Sequence, residues 1–149
     1  MINHHLLMDC TEMQQIKTRY EEAKAQENTA GMEAARESHR KLSERIASRG
    51  KTYAKVYRLY ESAAERGNEY IDLNDVIWDK DVEALIVSLR ENGMEHFTFS
   101  ATWSSTVETS WLFLKNGCTL EGMVEINGQS KAFGSEEYEK IPAYLFAVH

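Results

Sequence analysis

Six carboxylates fall within 15 residues, at Glu69, Asp72, Asp75, Asp79, Asp81 and Glu83, relieved only by Lys80. Carboxylates held on a folded surface can stand in for nucleic-acid phosphates, because the Arg and Lys forks of a DNA-binding site match either anion. A site of that kind binds and does not react. The plainer use of Asp79, Asp81 and Glu83 is structural, since acidic residues suit the positive end of a helix. Metal binding fits less well: Asp72, Asn74 and Asp75 lack the remaining ligands and the glycine of a calcium loop. The histidines, His4, His5, His39, His96 and His149, are scattered without metal-ligand spacing. No metal is expected.

A second group carries the opposite charge. Between Arg36 and Arg58 stand Arg36, Arg40, Lys41, Arg45, Arg49, Lys51, Lys55 and Arg58, against Glu37 and Glu44, a net of +6. Lys41, Arg45 and Arg49 recur every four residues, so on one helix they form a row that can follow a phosphate backbone with strong salt dependence. The same row also suits a solvated helix face. Through this segment Ile46, Gly50, Tyr53, Tyr57, Tyr60 and Ala64 alternate by four and three, the seam of a coiled coil or helical hairpin. Aromatics among cations can stack on bases; at seam spacing they fill a helix interface. Ile46, Tyr53, Tyr57 and Tyr60 are the candidate interface residues. Ser104, Ser105, Thr106 and Thr109 mark a strand-to-helix junction where α/β proteins place ligands, but the loop SATWSST has no glycine for a phosphate to approach. No Walker loop, dinucleotide fingerprint or G-x-S-x-G occurs. Neither a cofactor nor a reaction is expected.

The elements that position these groups divide at residue 67. Residues 9–66 lack Pro and are rich in Glu, Lys, Arg, Ala and Gln, which favours helix. Met13, Ile16, Tyr20 and Ala23 give a first helix one apolar stripe, ENTAG at Glu27–Gly31 breaks it, and a second helix is predicted from Met32 to Arg66, stopped by Gly67 and Asn68. Tyr70–Asn127 then reads as strand, helix, strand, helix, strand. Asp79 is predicted to cap the first of these helices, with Val82, Leu85, Ile86 and Leu89 on its buried face and Gly93 as its left-handed stop. Ser105 and Glu108 form a capping box for the second, Val107, Trp111, Leu112 and Leu114 supply its bulk, and Gly117 ends it. His96–Ser100 and Thr119–Ile126 are strands, the former with Phe97 and Phe99 on one face. LRENGMEHFTF and LKNGCTLEGMVEI are weakly similar, as two helix-to-strand units would be. Asn127-Gly128 signals a turn, Gln129–Gly134 a loop, Glu136–Ile141 a short helix blocked by Pro142, and Ala143–Val148 a final antiparallel strand.

The fold class expected is therefore α+β or α/β: long N-terminal helices over residues 1–67, then a small βαβαβ-type sheet domain with a C-terminal strand over 68–149. The net charge of −7 is unevenly shared. Residues 1–67 hold 12 Lys or Arg against 10 Asp or Glu, a net of +2, and residues 68–149 hold 5 against 14, a net of −9. No apolar run of about 18 residues exists to span a membrane, and the first residues lack the basic start of a signal peptide. A cytoplasmic protein is expected, with Cys10 and Cys118 as free thiols.

Two resemblances bear on function. Trp111–Ile126, LKNGC followed by TLEGMV, looks like the late helix and strand of N-acetyltransferases, but the loop with which those enzymes cradle the coenzyme pyrophosphate is missing. A broader one rests on Asp79-Lys80-Asp81-Val82-Glu83, Leu89-Arg90-Glu91-Asn92-Gly93, Phe97 and Phe99, Ser104-Ser105, and Gly117-Cys118 with Leu120-Glu121-Gly122. Over Glu69–Ile126 the chain resembles a domain of unassigned function from short proteins of phages, plasmids and integrated elements of low-GC Gram-positive bacteria. That resemblance implies no reaction; it implies a setting that includes anti-CRISPR inhibitors, which disable a host nuclease by binding. The expectation is a non-enzymatic inhibitor of a nucleic-acid-handling host defence nuclease, with Cas9 the class that fits best. Its acidic domain would fill a DNA site, while the basic arm touches guide RNA, an acidic surface or a second subunit. The alternatives are a dimeric regulatory adaptor joined through the N-terminal helices and a small-ligand-binding α/β domain using SATWSST.

Overall fold

The computed structural model describes residues 2–74, 79–101 and 104–149. Helix α1 (His4–Ala25) starts where the Asn3 side chain accepts a bond from the His5 N–H, and α2 (Thr29–Ser48) where Asn28 accepts one from Gly31. The break predicted at ENTAG thus becomes the turn of a hairpin. Contacts of Tyr20 with Arg36, Glu12 with Arg45 and Asp9 with Arg49 pair rising with falling numbers, so the two helices run antiparallel.

The single helix expected from Met32 to Arg66 is two. Gly50, at φ 116° and ψ 163°, separates α2 from α3 (Lys51–Arg66) in a conformation that side-chain-bearing residues avoid. This breaks the predicted seam as well. Ile46, Tyr53 and Tyr57 are buried, and Tyr60 packs partly buried against the same core, but from two helices, not along one stripe.

The second half holds β1 (Ile71–Asp72), α4 (Val82–Glu91), β2 (His96–Phe99), α5 (Thr106–Lys115), β3 (Cys118–Lys131) and β4 (Tyr138–Val148). Gly67, Gly93 and Gly117 follow α3, α4 and α5 with φ of 71°, 70° and 89°, as predicted. The sheet order is β1-β2-β4-β3, with β1 parallel to β2 and β4 antiparallel to both its neighbours. The elements follow in the expected strand-helix-strand-helix-strand order with a C-terminal strand, but that last strand is inserted between β2 and β3 and makes the sheet mixed. Glu136–Ile141 is not a helix either, because β4 begins at Tyr138 and β3 runs on through Asn127-Gly128 to Lys131. Hairpin pairing along β3 outweighs the local helix signal. Pro142 is tolerated opposite Glu125, beyond the reach of β2, where its missing N–H costs no second ladder bond.

Four phenylalanines make the centre. Phe113 of α5 meets Phe97 and Phe99 of β2 and Phe146 of β4 edge-on, at ring-centroid distances of 5.0, 5.0 and 5.2 Å. The same buried cluster continues through Leu89 and Ile86 of α4 to Val56, Leu42 and Leu6 of the helical half. Val82, Leu85, Ile86 and Leu89 are all buried, as expected. In α5 the expectation holds for Leu112, which packs partly buried against the core, and fails for the other three. Phe113 and Thr109 face inward, while Val107, Trp111 and Leu114 are exposed, because at 3.6 residues per turn these sets lie on opposite sides. The predicted caps are not formed: Asp79 lies in a 3-10 turn (Asp79–Asp81), and Asp81 and Ser105 hold the cap positions without a side-chain bond. Among the described residues no helix is long and apolar enough to cross a membrane.

Candidate protein-binding surface

The six predicted carboxylates do not form one array. Asp72 is buried on β1, where it accepts bonds from Thr98 Oγ1 at 2.7 Å and Ser100 Oγ at 2.6 Å, so it clamps β1 to β2. Asp79, exposed, accepts a bond from Thr109 Oγ1 at 2.8 Å and thereby ties the start of α4 to α5. Asp81 and exposed Glu83 stand beside it in the same turn of chain, and Glu69 is exposed beyond the end of α3. Burial, with the neighbouring Glu69 and Glu121, pushes the Tyr70 phenol up. Asp75 lies outside the described residues. What remains for a partner is the group Asp79, Asp81 and Glu83, with Glu69 apart.

Half of the eight cations between Arg36 and Arg58 are used within the helical half. Arg45 bonds Glu12 and reaches Asp9 at 3.3 Å, and Arg49 Nε reaches Asp9 at 2.9 Å. Burial alone would raise the Asp9 carboxyl, but bonds from Arg49 and Tyr53 and the charges of Arg49 and Arg45 hold it below the ordinary range. Arg40 is paired with Glu37 and Glu44, Lys17 with Glu61 and Glu65, and Arg36 lies over the Tyr20 ring at 5.5 Å. The row Lys41–Arg45–Arg49 is thus two-thirds engaged with α1. Lys41, Lys51, Lys55 and Arg58 are exposed without an ion partner among the described residues, but Gly50 divides them between two helices.

The acidic half is different. Among the described residues, one of its carboxylates lies within pairing distance of a basic side chain, Glu121 at 3.3 Å from His96 Nε2. Asp79, Glu83, Glu91, Glu108, Glu125 and the Glu136, Glu137 and Glu139 group are exposed with no such partner.

The α5 stripe was missed by the sequence reading. Val107, Trp111 and Leu114 are 77%, 57% and 47% exposed, and Lys115 Nζ sits 4.4 Å from the Trp111 ring centroid. The available signal was a ten-residue helix apolar on two faces, of which one alone can enter the core. The SATWSST hydroxyls have local uses: Ser100 Oγ donates to Asp72 and Thr106 Oγ1 to the Ala101 carbonyl at 3.0 Å, while Thr109, beyond the loop, donates to Asp79. Thr102 and Trp103 of that loop lie outside the described residues. A cleft of about 410 Å³ lies elsewhere, where Tyr60 and Asn68 approach Tyr70, Met94 and His96.

No curated protein and no solved structure matches the chain. A family model described as a domain of unknown function, DUF7698, matches residues 55–148, from the second turn of α3 to the end of β4. That span takes in the whole sheet, the phenylalanine centre and the carboxylates at the start of α4. The chain belongs to the DUF7698 family.

Proposed function

We propose that this protein acts by binding: its acidic half docks on a cationic surface of a nucleic-acid-handling protein and occupies the place of the nucleic acid. The observation that carries this reading is the contrast in pairing. Six carboxylates of the helical half are paired with Lys17, Arg40, Arg45 or Arg49, while among the described residues the exposed carboxylates of residues 68–149 have one close basic neighbour, His96. A surface left so negative draws a basic partner and repels nucleic acid itself. Asp79, Asp81 and Glu83 form the contact group, Glu69 flanks it, and Asp72 has a structural role. Lys41, Lys51, Lys55 and Arg58 are the cations left to meet guide RNA or an acidic surface.

The partner to test first is a host-defence nuclease of the Cas9 class loaded with its guide, whose heteroduplex channel is positively charged. Affinity measured over a salt series should fall steeply with ionic strength. Asp79→Asn, Asp81→Asn and Glu83→Gln combined should weaken binding about tenfold to a hundredfold, at about 0.5–1 kcal/mol per rim charge. Absence of association at low salt, or unimpaired DNA cleavage under excess protein, would refute the nuclease reading.

A second reading, the dimeric adaptor, is supported by the apolar face of α5. The N-terminal seam serves it poorly, because Ile46, Tyr53 and Tyr57 already lie in the protein's own core.

A further inference from the structure

We infer that the outward face of α5 is a self-association surface, on which a second copy of this chain packs its own α5 antiparallel about a two-fold axis. Val107, Trp111 and Leu114, spaced four and three, make the seam of a short two-helix contact and are the exposed large apolar residues of this helix. They cannot be core residues of the same chain, because Phe113 and Thr109 hold α5 by its opposite side. Trp is the side chain most often dominant at such contacts.

The flanking charges select the occupant. Glu108 and Lys115 are seven residues apart, so both lie on the same side of the seam, and both are exposed without an ion partner among the described residues. Let Trp111 of one copy oppose Leu114 of the partner subunit, and Leu114 oppose Trp111 of the partner subunit, with Val107 at either end of the contact. In an antiparallel seam like flanking positions meet across the interface. Glu108 then faces Lys115 of the partner subunit, and Lys115 faces Glu108 of the partner subunit, so two opposite-charge pairs arise from one surface, as an isologous contact requires. A parallel pair would set each residue level with its own copy and bring no opposite charges together. The seam is short, which makes the dimer a weak one that forms with rising concentration. The acidic group is not part of it: Asp79 bonds Thr109 on the inner side of α5.

Sedimentation equilibrium of the full chain over a concentration series tests this directly. The wild type is expected to pass from monomer to dimer, and Trp111→Ala to weaken association at least tenfold with an unchanged circular dichroism spectrum. Glu108→Lys alone and Lys115→Glu alone should each be monomeric, since each places like charges across both pairs. The double variant Glu108→Lys/Lys115→Glu should dimerise again. The two single variants, mixed, should form a heterodimer, because the mixture restores both pairs. A wild type that stays monomeric throughout, a dimer indifferent to Trp111→Ala, or single variants that do not recover on mixing would overturn the proposal. Asp81→Asn with Glu83→Gln should leave the dimer intact, so loss of nuclease binding in that variant is read separately from loss of self-association.

Discussion

Replacing Asp9 by Ala should remove the acceptor on which three helical segments converge. Its carboxylate, 1% exposed, receives Tyr53 Oη of α3 at 2.6 Å, Arg49 Nε at 2.9 Å and Arg45 of α2 at 3.3 Å. Without it the buried Tyr53 hydroxyl loses its acceptor, which costs about 1–3 kcal/mol. The Arg45 and Arg49 side chains are 44% and 23% exposed and regain water, so their lost pairing adds only about 0.5–1 kcal/mol. The sum is about 2–4 kcal/mol for Asp9→Ala, and about half of that for Asp9→Asn, which keeps an oxygen for Tyr53. Urea unfolding followed by circular dichroism gives the values, and a double-mutant cycle with Tyr53→Phe should return a coupling of about 1–2 kcal/mol. The pH dependence has a fixed sign. Because the folded carboxyl is held below its ordinary value of 3.8, the unfolded chain takes up the proton first as pH falls. The gap between wild type and Asp9→Asn is therefore full at neutral pH and shrinks below about pH 4. An Asp9→Ala variant within about 0.5 kcal/mol of wild type, or a gap unchanged down to about pH 3, would refute the claim that these cations serve the fold.

Phe113→Ala empties the meeting point of three other rings and should cost about 3–5 kcal/mol by the same unfolding assay. Gly50→Ala meets no atom within 4 Å, so any loss measures backbone strain alone; at φ 116° it should be about 1–3 kcal/mol. Asp72→Ala leaves the fully buried Thr98 hydroxyl without this acceptor and should destabilise by about 1–3 kcal/mol, whereas Asp81→Asn should stay within about 0.5 kcal/mol in unfolding measurements.

The comparison of Asp72 with Asp81 shows how far the sequence reached. Both belong to one acidic run, and nothing in their neighbours distinguishes them. Register does: Asp72 pairs with Thr98 across β1 and β2, which carries its side chain under the sheet beside two hydroxyl donors, while Asp81 begins a helix in partial contact with water. The basic run behaves in the same way. Arg45 and Arg49 read as a free row until α1 folds back and places Asp9 and Glu12 beside them.

The sequence by itself determined where α3, α4 and α5 stop, where the first hairpin turns and which half is acidic. Gly67, Gly93, Gly117 and the Asn28 cap act through backbone preferences confined to a few residues, and charge is a sum over residue types. Only the tertiary structure decided that β4 slides between β2 and β3, and that α5 turns Phe113 inward and Trp111 outward. A helix apolar on two faces satisfies its own local rules either way up. Three phenylalanines brought together from β2 and β4 settle the choice, because their rings offer one side of α5 a packed site and leave the other to the surface.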